Sequence, residues 1–406
     1  MHENIVRLLM ENSVQMLYVT NRSTLAAARK LSEGSRSLHC GLSTNEKIAY
    51  ELALAGAWVN KRTACILSTE GLYDAVDPVM SSAYTGVEGS FVVVAVQENA
   101  EEITPLGAFS KLPIIVTETD EELEKAVSYA FSISEEYKIP VIVQAFPGGY
   151  SGVTAGAPQG AGTDRKSAFL RREQGRWAAT PKFRYQLHRE LNEKITKIRD
   201  AFETYEGNVV IPGGSTGLVT DKFSRLEFYD EDASILRLAT VFPLPEKLTQ
   251  HFIDSMDDVL VVENYPAIEL QIPDRTKVKS GFADRGRGRP QFEEKIQGFT
   301  VIRDRLGAAS SINMAHGIKK LHPDWNIMAV TFEDHFFHSG MPAYVNSLYN
   351  DSASVLLIMV SERADELRRV LKSYGVATIV DINEITELAR FKDTPEPVAA
   401  LYRGMI

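Results

Sequence analysis

The sequence predicts an α/β protein in which parallel sheets are covered by helices on both faces. Short β-branched runs alternate with longer amphipathic stretches from one end of the chain to the other, as in strand–helix–strand units. The strongest runs, FVVVAV at residues 91–96 and VLLIM at residues 355–359, are apolar throughout, which is typical of strands buried on both faces. These two observations lead us to expect three α/β units.

The first predicted unit covers residues 1–150, where strands and helices alternate. We predict strands at residues 65–67, 91–96, 113–116 and 141–143, and helices at residues 45–60, 75–84 and 121–136. The helical stretches are rich in Ala, Leu and Glu, whereas the strands are rich in Val and Ile. Residue preference and hydrophobic pattern therefore agree in this unit.

Two further units follow a connecting region at residues 151–206. This region combines a Gly-, Ser-, Ala- and Arg-rich stretch without periodicity, which predicts an irregular linker, with a charged amphipathic helix. A small α/β unit is predicted at residues 207–280, and a last α/β unit at residues 281–406. Their predicted strands lie at residues 209–211, 235–238, 259–262, 327–330, 355–359 and 377–380.

Composition restricts the class of function. The 406 residues are 44% hydrophobic and 24% charged, which is enough apolar material for packed cores. Asp and Glu outnumber Lys and Arg by 54 to 44, a formal net charge of −10, so we expect neither nucleic-acid nor anionic-membrane binding. The longest apolar runs are about six residues, far below a membrane span, and the N-terminus lacks a signal-peptide pattern. We expect a soluble cytoplasmic protein.

Five ordered strings are more specific than this pattern. They are STNEKIAYELALAGA (43–57), DPVMSSAYTGVEG (77–89), VFPLPEKL (241–248), NMAHG (313–317) and FFHSGMPA (336–343). Together they resemble the α subunit of indolepyruvate:ferredoxin oxidoreductase, in the thiamine-diphosphate-dependent 2-oxoacid:ferredoxin oxidoreductase superfamily. The resemblance implies a thiamine-diphosphate-binding-type fold. Its parts would be a pyrimidine-binding-type domain at 1–150, a transketolase C-terminal-like domain at 207–280 and a shortened pyrophosphate-binding-type domain at 281–406.

The resemblance assigns a catalytic role to Glu46. In the family, a glutamate at the start of the Ala-rich helix hydrogen-bonds the aminopyrimidine ring and promotes formation of the ylid. Glu46 falls at this position. A carboxylate at a helix N-terminus is also favoured by the helix dipole alone, so a simple structural charge is the alternative interpretation.

The predicted diphosphate side departs from the family. By resemblance, Glu333, Asp334, Ser311, His316 and His338 are the candidate cofactor-binding residues, and Glu333 with Asp334 would bind Mg²⁺. The family has a Gly-Asp-Ser turn where this chain has Phe332-Glu-Asp, and Ala309 and Asn313 replace two further glycines. The family's second metal-binding loop is missing after residue 360. We expect Phe332 and Asn313 to project into the space that the family gives to the diphosphate.

Two histidines allow another interpretation. His335 and His338 are three residues apart and flanked by acids, as in some metal sites, although zinc needs three or four protein ligands. His316 is predicted either to pack within its helix or to contact the cofactor.

The resemblance also predicts partners and leaves two hypotheses open. Cys40 and Cys65 cannot supply the four thiolates of an iron–sulfur cluster, so we expect none in this chain and electrons would leave through another subunit. The first hypothesis is a subunit that supports oxidative decarboxylation of 2-oxoacids, as a homodimer or with a β/γ-type subunit, and reduces ferredoxin indirectly. The alternative is a non-catalytic or repurposed paralogue that has lost thiamine diphosphate and acts as a scaffold or regulatory subunit.

Overall fold

The computed structural model describes residues 2–33, 38–97, 103–146, 176, 180–222, 232–263, 265–282, 298–304, 307–350, 352 and 354–403. The chain forms two compact units, which we call the N-terminal unit (Met1–Arg287) and the C-terminal unit (Gly288–Ile406). Most of the predicted linker at residues 150–181 lies outside the described residues.

The first half of the N-terminal unit alternates strands and helices. Its helices are α1 (His2–Glu11), α2 (Arg22–Ser32), α3 (Glu46–Trp58), α4 (Thr69–Asp74), α5 (Val76–Thr85), α6 (Thr104–Ser110) and α7 (Asp120–Tyr137). Its strands are β1 (Met16–Val19), β2 (His39–Leu42), β3 (Arg62–Ser68), β4 (Ser90–Val96), β5 (Ile114–Thr117) and β6 (Val141–Ala145). Every residue of the central strand β4 is buried.

The second half of this unit begins with the long helix α8 (Pro181–Phe202) and adds helix α9 (Glu246–Asp254). Its strands are β7 (Val209–Ile211), β8 (Thr216–Asp221), β9 (Ser234–Leu238), β10 (Thr240–Phe242), β11 (Asp258–Glu263) and β12 (Val278–Phe282). Among the described residues, the first sheet has the order β10-β5-β6-β4-β3-β1-β2 and the second has β12-β11-β8-β9-β7. Each sheet is parallel except for one antiparallel edge strand, β10 on β5 and β7 on β9.

The C-terminal unit is a single parallel sheet with helices. It contains β13 (Thr300–Arg303), α10 (Ser310–Leu321), β14 (Ile327–Phe332), α11 (Met341–Tyr349), β15 (Val355–Met359), α12 (Ala364–Ser373), β16 (Thr378–Ile382) and β17 (Val398–Tyr402). The strand order is β13-β14-β15-β17-β16. Between β14 and α11, one short turn at Glu333–His335 leads into a wide π-helical turn at Phe336–Gly340.

Alternation along the strands gives the C-terminal sheet a core on each face. Ile327 and Ala329 pack with apolar residues of α10, α11 and α12 on one face, whereas Met328 and Val330 pack on the other. The carboxyl ends of β13, β14 and β15 therefore meet at one edge, where loops lead into helices. This edge is where ligands bind in open parallel sheets.

The predicted fold class is confirmed. One strand pairs differently from the predicted division into units. The strand Thr240–Phe242, which belongs to the predicted small unit 207–280, pairs with the first sheet instead of the second. The predicted domain boundaries remain predictions. Across the part of the chain that is described, no helix is long and apolar enough to cross a membrane.

Candidate functional site

Glu46 is the first residue of α3. Asn45 caps this helix, because its backbone is extended (φ −153°, ψ 173°) and its side-chain oxygen accepts a hydrogen bond from the Ile48 backbone N–H at 2.9 Å. An Asn before a run rich in Ala and Leu explains why the helix begins here. The Glu46 side chain is turned into the protein, and the residue is only 5% exposed. Its carboxylate is stabilised by the positive end of the helix dipole.

Gly71 leaves the space that the Glu46 side chain fills. It lies in α4 directly after β3, and its N–H donates to the Ser68 hydroxyl oxygen at 2.9 Å. A Cβ on residue 71 would overlap the Glu46 Cγ and would lie 2.9 Å from the Glu46 Cδ. Because real Cβ atoms do not approach so closely, only glycine lets this backbone pass beside Glu46.

Lys47, the next residue of α3, points to the surface. Its ammonium group forms ion pairs with Asp77 of α5 and with Glu51, one helical turn later. The hydrogen bond that Lys47 Nζ donates to Asp77 and the negative charges of Asp77 and Glu51 raise the pKa of Lys47 above its usual value. The positive charge beside Glu46 in sequence is thus engaged by other carboxylates.

In the C-terminal unit, Asp304 joins the ends of β13 and β14. Its Oδ1 accepts the backbone N–H of Ser311 at 2.9 Å, and its Oδ2 accepts the Thr331 hydroxyl at 2.6 Å and the His335 Nδ1 at 2.8 Å. The carboxylate is 3% exposed. Burial favours the neutral acid, but the hydrogen bonds from His335, Ser311 and Thr331 outweigh burial and hold the pKa of Asp304 below its ordinary value. The ionised carboxylate only accepts, so His335 carries its proton on Nδ1.

Glu333, a predicted metal ligand, is bound to the loop that precedes α12. One carboxylate oxygen accepts the Ser361 hydroxyl at 2.9 Å and the Glu362 N–H at 3.3 Å. The other accepts the backbone N–H groups of Ser361 at 3.1 Å and Arg363 at 3.0 Å. Glu333 is 3% exposed. Its carboxylate therefore binds the loop that leads into α12, where the resemblance expects the second metal ligand.

The other predicted cofactor-binding residues have separate surroundings. Ser311 contacts Asp304 through its backbone. Asp334 keeps an exposed surface, yet the protein around its carboxyl and the charge of Glu333 raise its pKa. His316 is half-buried on α10, where desolvation and the charge of Lys320 lower its pKa. His338 is half-buried in the π-helical turn. Roles for these side chains toward a cofactor remain predictions.

The residues that replace the family's glycines keep part of the glycine geometry. Ala309 precedes α10 with φ 57° and ψ 18°, so it keeps the left-handed conformation that glycine adopts most easily. Asn313 is exposed on α10. Phe332 ends β14 with 53% of its surface exposed, and its ring stands edge-on to His335 at 5.4 Å between centroids. Projection of Phe332 and Asn313 into a diphosphate space remains a prediction.

Binding of a metal by Glu333 and Asp334 also remains a prediction. Among the described residues, no group of three or more His, Cys, Asp and Glu side chains is arranged to hold a metal. A carboxylate has about four lone-pair sites, and Glu333 uses them on the α12 loop. Binding of Mg²⁺ by Glu333 would require some of these hydrogen bonds to break.

Sequence reasoning missed Asp304 and Arg363. Asp304 could have been found, because an acid directly after a strand and shortly before a helix lies at the edge where ligands bind. Arg363 gave no such signal. Its guanidinium lies 3.5 Å from the centre of the Phe337 ring and its Nε donates to Glu366 at 2.9 Å, so it fixes the α12 loop on the π-helical turn.

Comparison with solved structures identifies the class of fold. The chain is similar in fold to a 2-oxoglutarate:ferredoxin oxidoreductase from Magnetococcus marinus, solved with 2-oxoglutarate, coenzyme A and succinyl-CoA bound. The TM-score is 0.53 at 14% sequence identity, and the match covers 69% of this chain and 61% of that one. This likeness confirms the predicted α/β fold of the thiamine-diphosphate type.

Sequence comparison gives a narrower similarity. The chain is 30% identical over 273 residues to the indolepyruvate oxidoreductase subunit IorA of Thermococcus kodakarensis, and 29% identical over 270 residues to that of Archaeoglobus fulgidus. Each match covers 61% of this chain but only 41% and 42% of the relatives, so the chain spans about two fifths of their length. No family model matches the chain. The predicted resemblance is confirmed: the chain is similar to the IorA subunits over this part of its length.

Proposed function

We propose that the chain is a subunit of a cytoplasmic 2-oxoacid oxidoreductase complex, of the indolepyruvate type, in which it supports oxidative decarboxylation. The relationship to proteins named as subunits supports a role within an assembly. Electrons would pass to ferredoxin through a β/γ-type partner, because the two cysteines, Cys40 and Cys65, are too few to ligate a cluster. The observation that carries the proposal is the buried carboxylate of Glu46.

The surroundings of Glu46 fit the pyrimidine side of thiamine diphosphate, the cofactor that the relationship implies. The carboxylate is buried at a helix N-terminus, and the glycine beside it has no Cβ that would enter its space. Thiamine diphosphate, when bound, supplies the carbanion sink that decarboxylation of a 2-oxoacid needs. Glu46 would hold and return a proton at its carboxylate, shielded from water by its burial.

The C-terminal unit does not fit the diphosphate and its Mg²⁺. The N-terminus of α10 is bound by Asp304, and the start of α12 is bound by Glu333. Both carboxylates are negatively charged neighbours for any diphosphate. We therefore derive no catalytic step through a diphosphate held by this unit, and a partner chain would have to bind it.

The test is an assay of Glu46→Gln with candidate β/γ-type subunits, a panel of aryl and aliphatic 2-oxoacids and an artificial electron acceptor. Proton transfer by a positioned side chain contributes about 10²–10⁴-fold, so the amide, which cannot exchange a proton, should lower kcat by at least about 10²-fold. The matched control is Glu51→Gln, on the exposed face of the same helix. Equal activity of wild type and Glu46→Gln would contradict a catalytic role.

A second function is favoured by the engagement of Glu333. A chain that fills its own anion sites can persist as a scaffold or regulatory subunit without thiamine diphosphate. In that case Glu46 is a structural charge, and its replacement by Gln should cost no more than about 1 kcal/mol of stability. Complete inactivity of both wild type and Glu46→Gln, with partner binding intact, would support this second function.

A further inference from the structure

The loop that leads into α12 presents a set of backbone hydrogen-bond donors at residues 361–363. Three consecutive N–H groups, of Ser361, Glu362 and Arg363, and the Ser361 hydroxyl converge on one carboxylate. Successive backbone N–H groups before a helix form a concave site for anions. Here the anion is the side chain of Glu333, which reaches the loop from the end of the neighbouring strand β14.

The fit between Glu333 and this loop is complete. Both oxygens accept two hydrogen bonds each, at distances from 2.9 to 3.3 Å. Glu333 is 3% exposed, and its bond from the Arg363 N–H is buried, whereas the three bonds from Ser361 and Glu362 are partly buried. The glutamate is long enough to span the gap between adjacent parallel strands and place its carboxylate on the loop that leads into α12.

A second carboxylate occupies the other helix start at this edge. Asp304 accepts the backbone N–H of Ser311 in the first turn of α10, and it is held there by Thr331 and His335. Its carboxylate is also 3% exposed. Helices α10 and α12, of 12 and 10 residues, follow β13 and β15. A buried carboxylate of the chain itself thus lies at the start of each helix.

We infer that the C-terminal unit carries its own anions at the ligand-binding edge of its sheet, with Glu333 as an internal plug of the 361–363 site, and does not bind a diphosphate. An incoming diphosphate would meet two buried negative charges and no unoccupied N–H group within the 361–363 site. Mg²⁺ does not relieve this conflict, because Glu333 would have to give up its hydrogen bonds to ligate the ion.

The first experiment titrates the purified 406-residue chain in a calorimeter. Thiamine diphosphate with Mg²⁺, and inorganic pyrophosphate with Mg²⁺, are the two probes. We expect no saturable heat and no change in melting temperature with either probe. Saturable, Mg²⁺-dependent binding of pyrophosphate to the wild-type chain would overturn the inference. The result does not depend on activity, so it is separate from failure of the proposed complex.

The second experiment opens the plug with Glu333→Ala. Loss of four hydrogen bonds to one buried carboxylate should lower the melting temperature by about 5 °C or more. Added inorganic phosphate should then occupy the emptied donors and restore at least about half of this loss. The matched control is Glu362→Ala, whose side chain is exposed in the same loop. Sodium chloride at equal ionic strength corrects for the general effect of salt.

The outcomes of the second experiment are also decisive. Phosphate that stabilises Glu333→Ala more than wild type and Glu362→Ala supports the internal plug. A folded Glu333→Ala protein that phosphate stabilises no more than the controls would overturn it. If Glu333→Ala does not fold, Glu333→Gln replaces it, since the amide retains the shape of the side chain. A Glu333→Gln protein as stable as wild type would likewise contradict the inference.

Discussion

Among single residues, Gly71 is tied to the candidate catalytic residue, because a Cβ on residue 71 would overlap the Glu46 Cγ. The Glu46 side chain occupies the volume that this Cβ would need, and Glu46 is buried. The position of the carboxylate therefore depends on a glycine in a different helix. Sequence distance hides this dependence, because residues 46 and 71 lie on α3 and α4.

The corresponding prediction is that Gly71→Ala destabilises the N-terminal unit by about 1–3 kcal/mol, the usual cost of overpacking. In an active complex it should also lower kcat, because Glu46 must move. Urea unfolding measures the first effect and the 2-oxoacid assay the second. The matched control is Gly317→Ala on α10, where a Cβ meets nothing within 4 Å. That change should stabilise its unit by about 0.5–1 kcal/mol, because alanine favours helix.

Among elements, the recurring device is a buried acid at the end of a strand that binds the backbone of a following turn. Glu263 ends β11 and accepts the N–H groups of Ala267, Ile268 and Glu269 at 2.7 to 3.0 Å. Burial outweighs these bonds and raises the pKa of Glu263. Asp304 has the opposite balance, since hydrogen bonds from His335, Ser311 and Thr331 lower its pKa despite burial.

Asp304 therefore predicts how stability depends on pH. Its pKa is lower in the folded than in the unfolded chain, so its contribution is full above the unfolded value of about 3.9 and is lost as the pH falls through the folded value. The difference in free energy of unfolding between wild type and Asp304→Asn should thus shrink below about pH 4. Denaturant unfolding of the C-terminal unit between pH 2 and 6 measures it. Exposed Asp324→Asn is the control, and a difference that stays constant with pH would refute the prediction.

The elements also show what sequence could predict. Strand β4 and strand β15 follow from runs of apolar residues, and α3 follows from its Asn cap, because these signals are local. The strand Thr240–Phe242 could not be predicted, since its three residues are ordered by pairing with the distant β5. For the same reason, Glu333 was a candidate metal ligand by position, whereas its actual partners lie in the loop after the next strand.

In the whole molecule, the two compact units have separate cores. The C-terminal unit has its own five-stranded sheet, and each sheet face is covered by its own apolar cluster. Unfolding of this unit exposes apolar residues that pack on one another. Leu367 belongs to the cluster on one face of the sheet and Leu388 to the cluster on the other face. Such an arrangement meets the physical definition of a domain.

We therefore expect a fragment of residues 288–406 to fold on its own. Circular dichroism should show one cooperative thermal transition, and amide exchange should protect β14 and β15, the buried strands at its centre. The complementary fragment of residues 1–287 is the control for loss of structure through truncation. A C-terminal fragment without a cooperative transition would contradict this expectation.

The covalent attachment of Glu333 to the chain affects how much folded protein a cell can maintain. A fold that relies on a diffusible anion gains stability only as RT ln(1 + [L]/Kd), so its folded fraction follows the supply of that anion. A counter-ion attached to the chain by covalent bonds cannot be depleted. The abundance of the C-terminal unit in cells should then not fall when thiamine is withdrawn. An enzyme that needs the bound cofactor for stability would instead be degraded by proteases.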